Sequence, residues 1–203
     1  MHNRRIVFFA VIIIVVVISG GCTSTAPLPF SPASPATAQP ALQQTPSSAL
    51  FAAFTLRVES LAPAPSLPEV SSCKGASESP AVSWAAIPSG TKSLVLILDD
   101  PDAPAGTFTH WIVYNIPPES GGLARAQPNA KVLASGAQQG DTSAGSLGYY
   151  PPCPPIGTTH RYIFRLYAVD MDIVQPTADR HSIDRALAGH TIAKTEFTTT
   201  FTR

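Results

Sequence analysis

Apolar positions in this chain come as short runs set between proline and glycine clusters, and the runs favour β-branched and aromatic residues over helix formers. Phe51 to Val58 mixes apolar and β-branched side chains, Ala81 to Ala85 carries Trp84, and Leu94 to Leu98 is continuously aliphatic. So short and unbroken an apolar stretch predicts a strand buried on both faces. Trp111 to Ile116, Tyr162 to Val169 and Ile192 to Thr202 supply further strands. The breaks fall at Pro63, Pro65 and Pro68, at Pro117-Pro118 and Gly121-Gly122, and across Pro151 to Gly157. The best helix is short: it starts near Ser182 as an N-cap, keeps Ile183, Ala186 and Leu187 on one face and stops at Gly189. These elements predict an all-β, mainly antiparallel, sandwich-like domain with one or two short helices.

The start of the chain follows another pattern. Arg4 and Arg5 precede Ile6 to Ile18, an uncharged run of 13 apolar residues, and then come Ser19, Gly20, Gly21 and Cys22. A basic start, a short apolar stretch and a small-residue cleavage zone describe a secretory signal over residues 1–21, since a membrane span needs about 20 apolar residues. A cysteine directly after the glycines is similar to a bacterial lipoprotein signal, which assigns lipidation to Cys22 and membrane attachment to the exported product. Residues Thr23 to Leu50 hold six prolines and no Lys, Arg, Asp or Glu, so residues 22–50 are expected to form a disordered tether. Residues 51–203 remain for a single folded domain.

Of the 203 residues only 13% are charged and the formal net charge is zero. With no basic patch, nucleic acid is not an expected partner. If Cys22 takes lipid, Cys73 and Cys153 form an even pair in an oxidising compartment, which permits a disulfide between them; two free buried thiols are the alternative.

Against so sparse a charge content, the acidic cluster DDPDAP stands out, with His110 a few residues on. Asp100 ends one predicted strand and His110 opens the next, so pairing of the two strands would deliver a carboxylate and an imidazole to one sheet end. Read by itself, the cluster is also an ordinary turn, because Pro101 and Pro104 fix φ and Asp bonds its own backbone. The second segment is GYYPPCPPIGTTHRY, Gly148 to Tyr162. Its prolines make a stiff wall, Gly157 permits close backbone approach, and His160 and Tyr162 share one side of an extended chain while Arg161 points away. Imidazole and phenol can donate to phosphate oxygens. A proline-rich loop over a core tyrosine is the plainer account of the same residues.

DPDAP at Asp100 to Pro104, HWIVYN at His110 to Asn115 and PPIGTTHRYIF at Pro154 to Phe164 resemble the signature regions of the phosphatidylethanolamine-binding protein family, in its bacterial and archaeal, Raf-kinase-inhibitor-like branch. SPAVSW, IPSGTKSL and GHTIAKTEFTTTFTR fit in order, so the resemblance spans about residues 70 to 203. It implies a sandwich of a large and a smaller sheet, and a small pocket for phosphate-like anions or phospholipid headgroups. The pocket residues it implies are Asp100 with Asp102, His110, Pro154, Pro155, Gly157, His160 and Tyr162. Asp100 is expected to accept from His110 or His160, fixing the donor tautomer and raising the imidazole pKa. Tyr149 and Tyr150 stand where relatives carry glycine, which narrows the pocket. A second reading implied by relatives is an inhibitor of a protease or kinase acting through the loop Pro151 to Pro155. No cofactor is expected and no catalysis, since neither GxSxG nor HExxH occurs; acid–base work or divalent-cation binding by the Asp–His group is the weighed alternative.

Overall fold

Among the residues described by the computed structural model, 53–59, 66–175 and 177–203, eight strands and one α-helix follow the chain. They are β1 (Thr55–Val58), β2 (Val82–Ala85), β3 (Ser93–Asp100), β4 (Phe108–Ile116), β5 (Gly122–Leu123), β6 (Gln138–Gln139), β7 (Thr159–Val169), α1 (Arg180–Leu187) and β8 (Thr191–Thr202). Two 3-10 turns, Glu69–Ser71 and Pro118–Ser120, complete the regular structure. All the described residues belong to the unit running from Ser48 to Arg203. The expected signal at 1–21, the tether at 22–50 and Cys22 lie outside the described residues, as do Phe51 and Ala52 of the first expected strand. No helix among the described residues is long and apolar enough to cross a membrane.

The larger sheet has the order β6-β4-β3-β7-β8 and the smaller one β1-β2-β5, with every pairing antiparallel. β3 lies in the middle of the larger sheet and is buried along its whole length, as its unbroken apolar run predicts. Its side chains alternate between two cores. Leu94, Leu96 and Leu98 join Trp84, Trp111 and Phe164 between the sheets, while Val95 and Ile97 face Ile112, Tyr114, Ile183 and Leu187 on the helix side. Each fully buried aliphatic contributes about 2 kcal/mol, so this strand is the fixed reference for whatever is attached to its end.

The helix begins three residues before the expected cap. Asp179, not Ser182, is the N-cap, its carboxylate accepting the Ser182 N–H at 2.7 Å. Both residue types cap well, and the carboxylate is favoured by the helix dipole. The spacing of Ile183, Ala186 and Leu187 does bury one face, and Gly189 at φ +81° ends the turn that follows. Strands β5 and β6 are two residues long and carry no periodic signal that a sequence could show.

Candidate functional site

The end of β3 carries two consecutive carboxylates, and the pleat sends them to opposite faces of the sheet. Asp99 is fully buried on the helix side. It accepts from Thr109 Oγ1 at 2.8 Å, from Arg165 Nη1 at 2.6 Å and from Arg180 Nη1 of the helix. Asp100 faces the other way. Its Oδ1 accepts the Asp102 N–H at 2.8 Å and its Oδ2 accepts from His160 Nδ1 at 2.8 Å. Asp100 thus closes the turn through one oxygen and holds His160 through the other.

His160 arrives from β7, where His160, Tyr162, Phe164 and Leu166 alternate inward. His110 needs a further device. β3 and β4 pair Leu98 with Trp111 but Asp99 with Thr109, so His110 is the extra residue of a β-bulge. Strict alternation would send His110 with Ile112 toward the helix. The bulge re-aims it, and Thr109 takes the helix-side place beside Asp99. His110 then lies 4.7 Å from Phe108 and edge-on to Tyr162 at 5.4 Å, ring centroid to ring centroid.

The partner of His110 differs from the expected one. Its Nδ1 lies 2.9 Å from the carbonyl oxygen of Tyr150, and because a carbonyl only accepts, Nδ1 carries the proton. Tyr150 N–H returns a bond to the His110 carbonyl at 2.8 Å. Asp100 therefore orients His160 and not His110. The pKa of His110 is also lowered, against expectation: burial disfavours the imidazolium more than the Tyr150 carbonyl and the Asp100 charge favour it. In both histidines Nδ1 is engaged, and Nε2 has no hydrogen-bond partner among the described residues and stays open to the cavity.

The rim is braced. Cys73 and Cys153 are joined in a disulfide with their Cα atoms 5.4 Å apart, and Cys73 N–H donates to the Pro152 carbonyl at 3.1 Å. Tyr149 donates to the Ser71 carbonyl at 2.6 Å and meets Trp111 edge-on. The chain enters this pair through Gly148, at φ +86°, a conformation that strains any side chain, and an added Cβ would also press on Asn129 Oδ1 at 2.6 Å.

A cavity of about 360 Å³ opens among these parts. Asp100, His110 and His160 form its polar floor, and Phe108, Tyr150 and the prolines Pro104, Pro154 and Pro155 form most of the wall. Five of the expected residues meet here: Asp100, His110, Pro154, Pro155 and His160. Three do not line it. Asp102 is drawn sideways to Arg161, 2.6 Å from Nη2, and this ion pair holds its pKa down to about 2. Gly157 sits in an open turn at φ +79°, closed by Thr158 N–H to the Pro155 carbonyl, so its role is conformational and not close approach. Tyr162 is fully buried beneath the floor; its hydroxyl makes no geometrically sound hydrogen bond among the described residues, and burial, then the nearby Asp100 carboxylate, push its pKa up. Ala103, Pro104, Phe108, Tyr150 and Cys153 also line the cavity and were not among the expected pocket residues. Phe108 lies opposite Asp100 in the strand register, a neighbour that only the bulge reveals.

The fold and the floor define a class, and comparison with known proteins agrees. Residues 57–202 match the description of the phosphatidylethanolamine-binding protein family, and the chain belongs to it. A UPF0098 protein of Methanothermobacter thermautotrophicus is 45% identical over 129 residues, covering 63% of this chain and 85% of that one. The crystal structure of a candidate phosphatidylethanolamine-binding protein homologue, CT736 of Chlamydia trachomatis, is similar with a TM-score of 0.68 at 36% identity, covering 74% of this chain and 98% of that one. A candidate lipoprotein of Mycobacterium tuberculosis, LppC, is 42% identical over 111 residues, covering 54% of this chain and 52% of that one.

Proposed function

We propose that this protein binds phosphate-like anions, as free ions or as phospholipid headgroups, in the cavity at the end of β3, and that it does so without transforming them. The observation that carries the reading is the pair of imidazoles. Each has Nδ1 tied to an acceptor and Nε2 left open in a cavity whose wall is largely apolar. Such a wall lowers the local dielectric and strengthens a charge-assisted bond from imidazolium to an anion. Asp100 does not oppose this strongly, because Asp102 N–H and His160 Nδ1 occupy its oxygens. A binding role fits the lining, whose one cysteine is tied into the disulfide and offers no thiolate nucleophile.

The same proposal places the protein outside the cytoplasm, held by lipid on Cys22. It is supported by the basic and apolar leader, the small residues before Cys22, the disulfide, and the lipoprotein name of the mycobacterial relative.

Phosphorus and proton NMR of the purified protein titrated with inorganic phosphate tests the binding. Shifts confined to His110, His160 and Tyr150 support it, and unperturbed histidines at saturating phosphate sink it. Mass spectrometry of the mature N-terminus tests the anchor, which an unmodified Cys22 removes.

A further inference from the structure

The larger sheet ends in two unlike edges. β6 is two residues long, whereas β8 runs for 12 residues and has β7 on one side only. A bare edge of that length is a template for another strand. Its cover is short: Ser66 lies parallel to Thr200, and Leu67 N–H donates to the Thr200 carbonyl at 2.7 Å. That bond fixes which main-chain groups point outward. Pairing with β7 is unbroken from Ala193 to Thr202, so Lys194, Glu196 and Thr198 present their N–H and C=O groups on the same side as Thr200. Among the described residues no main-chain group meets those of these three. Ile192 has no counterpart on β7, and this bulge bends the edge and closes the free stretch at its other end.

Lys194 and Glu196 carry opposite charges on one face of the strand, 2.9 Å apart. Charges of one sign would guard the edge against a second copy. Opposite charges two positions apart do the reverse, because antiparallel pairing about Thr195 sets each Lys194 against Glu196 of the other copy. A two-fold axis at Lys194 or at Glu196 would oppose like charges. An axis at Phe197 would run Lys194 against the covered Thr200, and one at Ala193 would run it against the bulge. On the other face the Thr195 register sets small Ala193 beside Phe197, which is partly buried against the core.

We infer that a second copy of this chain docks along β8, antiparallel, about a two-fold axis at Thr195. The two central pairs exchange about four main-chain hydrogen bonds, with a Lys194–Glu196 ion pair across each. So small an interface makes the dimer reversible.

Analytical sedimentation of the purified chain up to millimolar concentration tests it, and a monomer–dimer equilibrium is expected. Lys194→Glu and Glu196→Lys should each weaken self-association about tenfold. An equimolar mixture of the two variants should associate at least as well as the wild type, because every opposed pair in the mixed dimer is then of unlike charge. Lys194→Pro removes an outward donor and no bond to β7, so it should keep the fold by circular dichroism and lose the dimer. A wild-type chain that stays monomeric overturns the inference and leaves the edge to a strand of another protein. A dimer indifferent to both charge reversals or to Lys194→Pro overturns it as well, and so does a mixture that associates no better than either variant does by itself.

Discussion

Removing the Cys73–Cys153 bond should lower the melting temperature by about 14 °C. The two cysteines are 80 positions apart. Closing a loop of that length removes about 15 cal/mol/K from the unfolded chain, or about 4.5 kcal/mol at 25 °C. A unit the length of Ser48 to Arg203 should unfold with an entropy of about 330 cal/mol/K, at about 2.1 cal/mol/K per residue. The quotient is about 14 °C. Cys73 is half-buried and Cys153 exposed, so replacing both by serine leaves no internal cavity and the loop effect stands by itself. The Cys73 N–H to Pro152 bond and the Tyr149 to Ser71 bond remain in the variant and keep the native geometry. Calorimetric melts of Cys73→Ser/Cys153→Ser and of the wild type, with and without a dithiol, give the measurement. A drop below about 4 °C would refute the reasoning, showing that residual structure already constrains this segment in the unfolded chain.

His160→Leu should cost about 2 kcal/mol in urea unfolding, because it leaves Asp100 Oδ2 buried without its donor, and should weaken phosphate binding at least tenfold; native affinity in the variant would remove His160 from the site. Because burial holds His110 below its ordinary 6.5, the unfolded chain takes up this proton first. Its contribution to stability therefore declines as pH falls through 6.5 and levels off once the folded value is passed. A bound anion favours the imidazolium, so sulfate, whose charge is constant over this range, should bind tighter at pH 5.5 than at pH 7.5 by isothermal titration; equal affinities contradict the assignment of His110. Asp99→Asn should cost about 3 kcal/mol in urea unfolding by leaving the Arg165 and Arg180 guanidiniums uncompensated, while phosphate binding changes little because Asp99 faces the helix.

The strands were legible where one side of the chain is apolar by rule. The unbroken run Leu94 to Leu98 is the doubly buried centre of the larger sheet, and Tyr162 to Val169 lies within β7. Family resemblance brought Asp100, His110, His160 and the two prolines to one place, and the cavity contains all five. What stayed hidden depends on tertiary placement. The partner of His110 is a main-chain carbonyl supplied by a loop 40 positions away, and no side-chain pattern announces a carbonyl. Asp102 carries the same motif as Asp100, yet Arg161 on the outward side of β7 captures it. Tyr150 looked like an obstruction to the pocket and is part of its wall. The helix cap was misplaced by three residues because Asp179 and Ser182 satisfy the same local rule, and only the bond between them decides which is outermost.

Asp99 and Asp100 are separated by a single peptide unit, yet one secures the helix and the other the cavity floor. A deletion within β3 would exchange their duties, so this joint tolerates replacements far better than changes of length. Tightening the floor around a bound anion also restrains the backbone from which the salt link to Arg180 hangs. Slowed amide exchange in the helix is then a remote gauge of occupancy, readable on the face of the sheet that the ligand never touches.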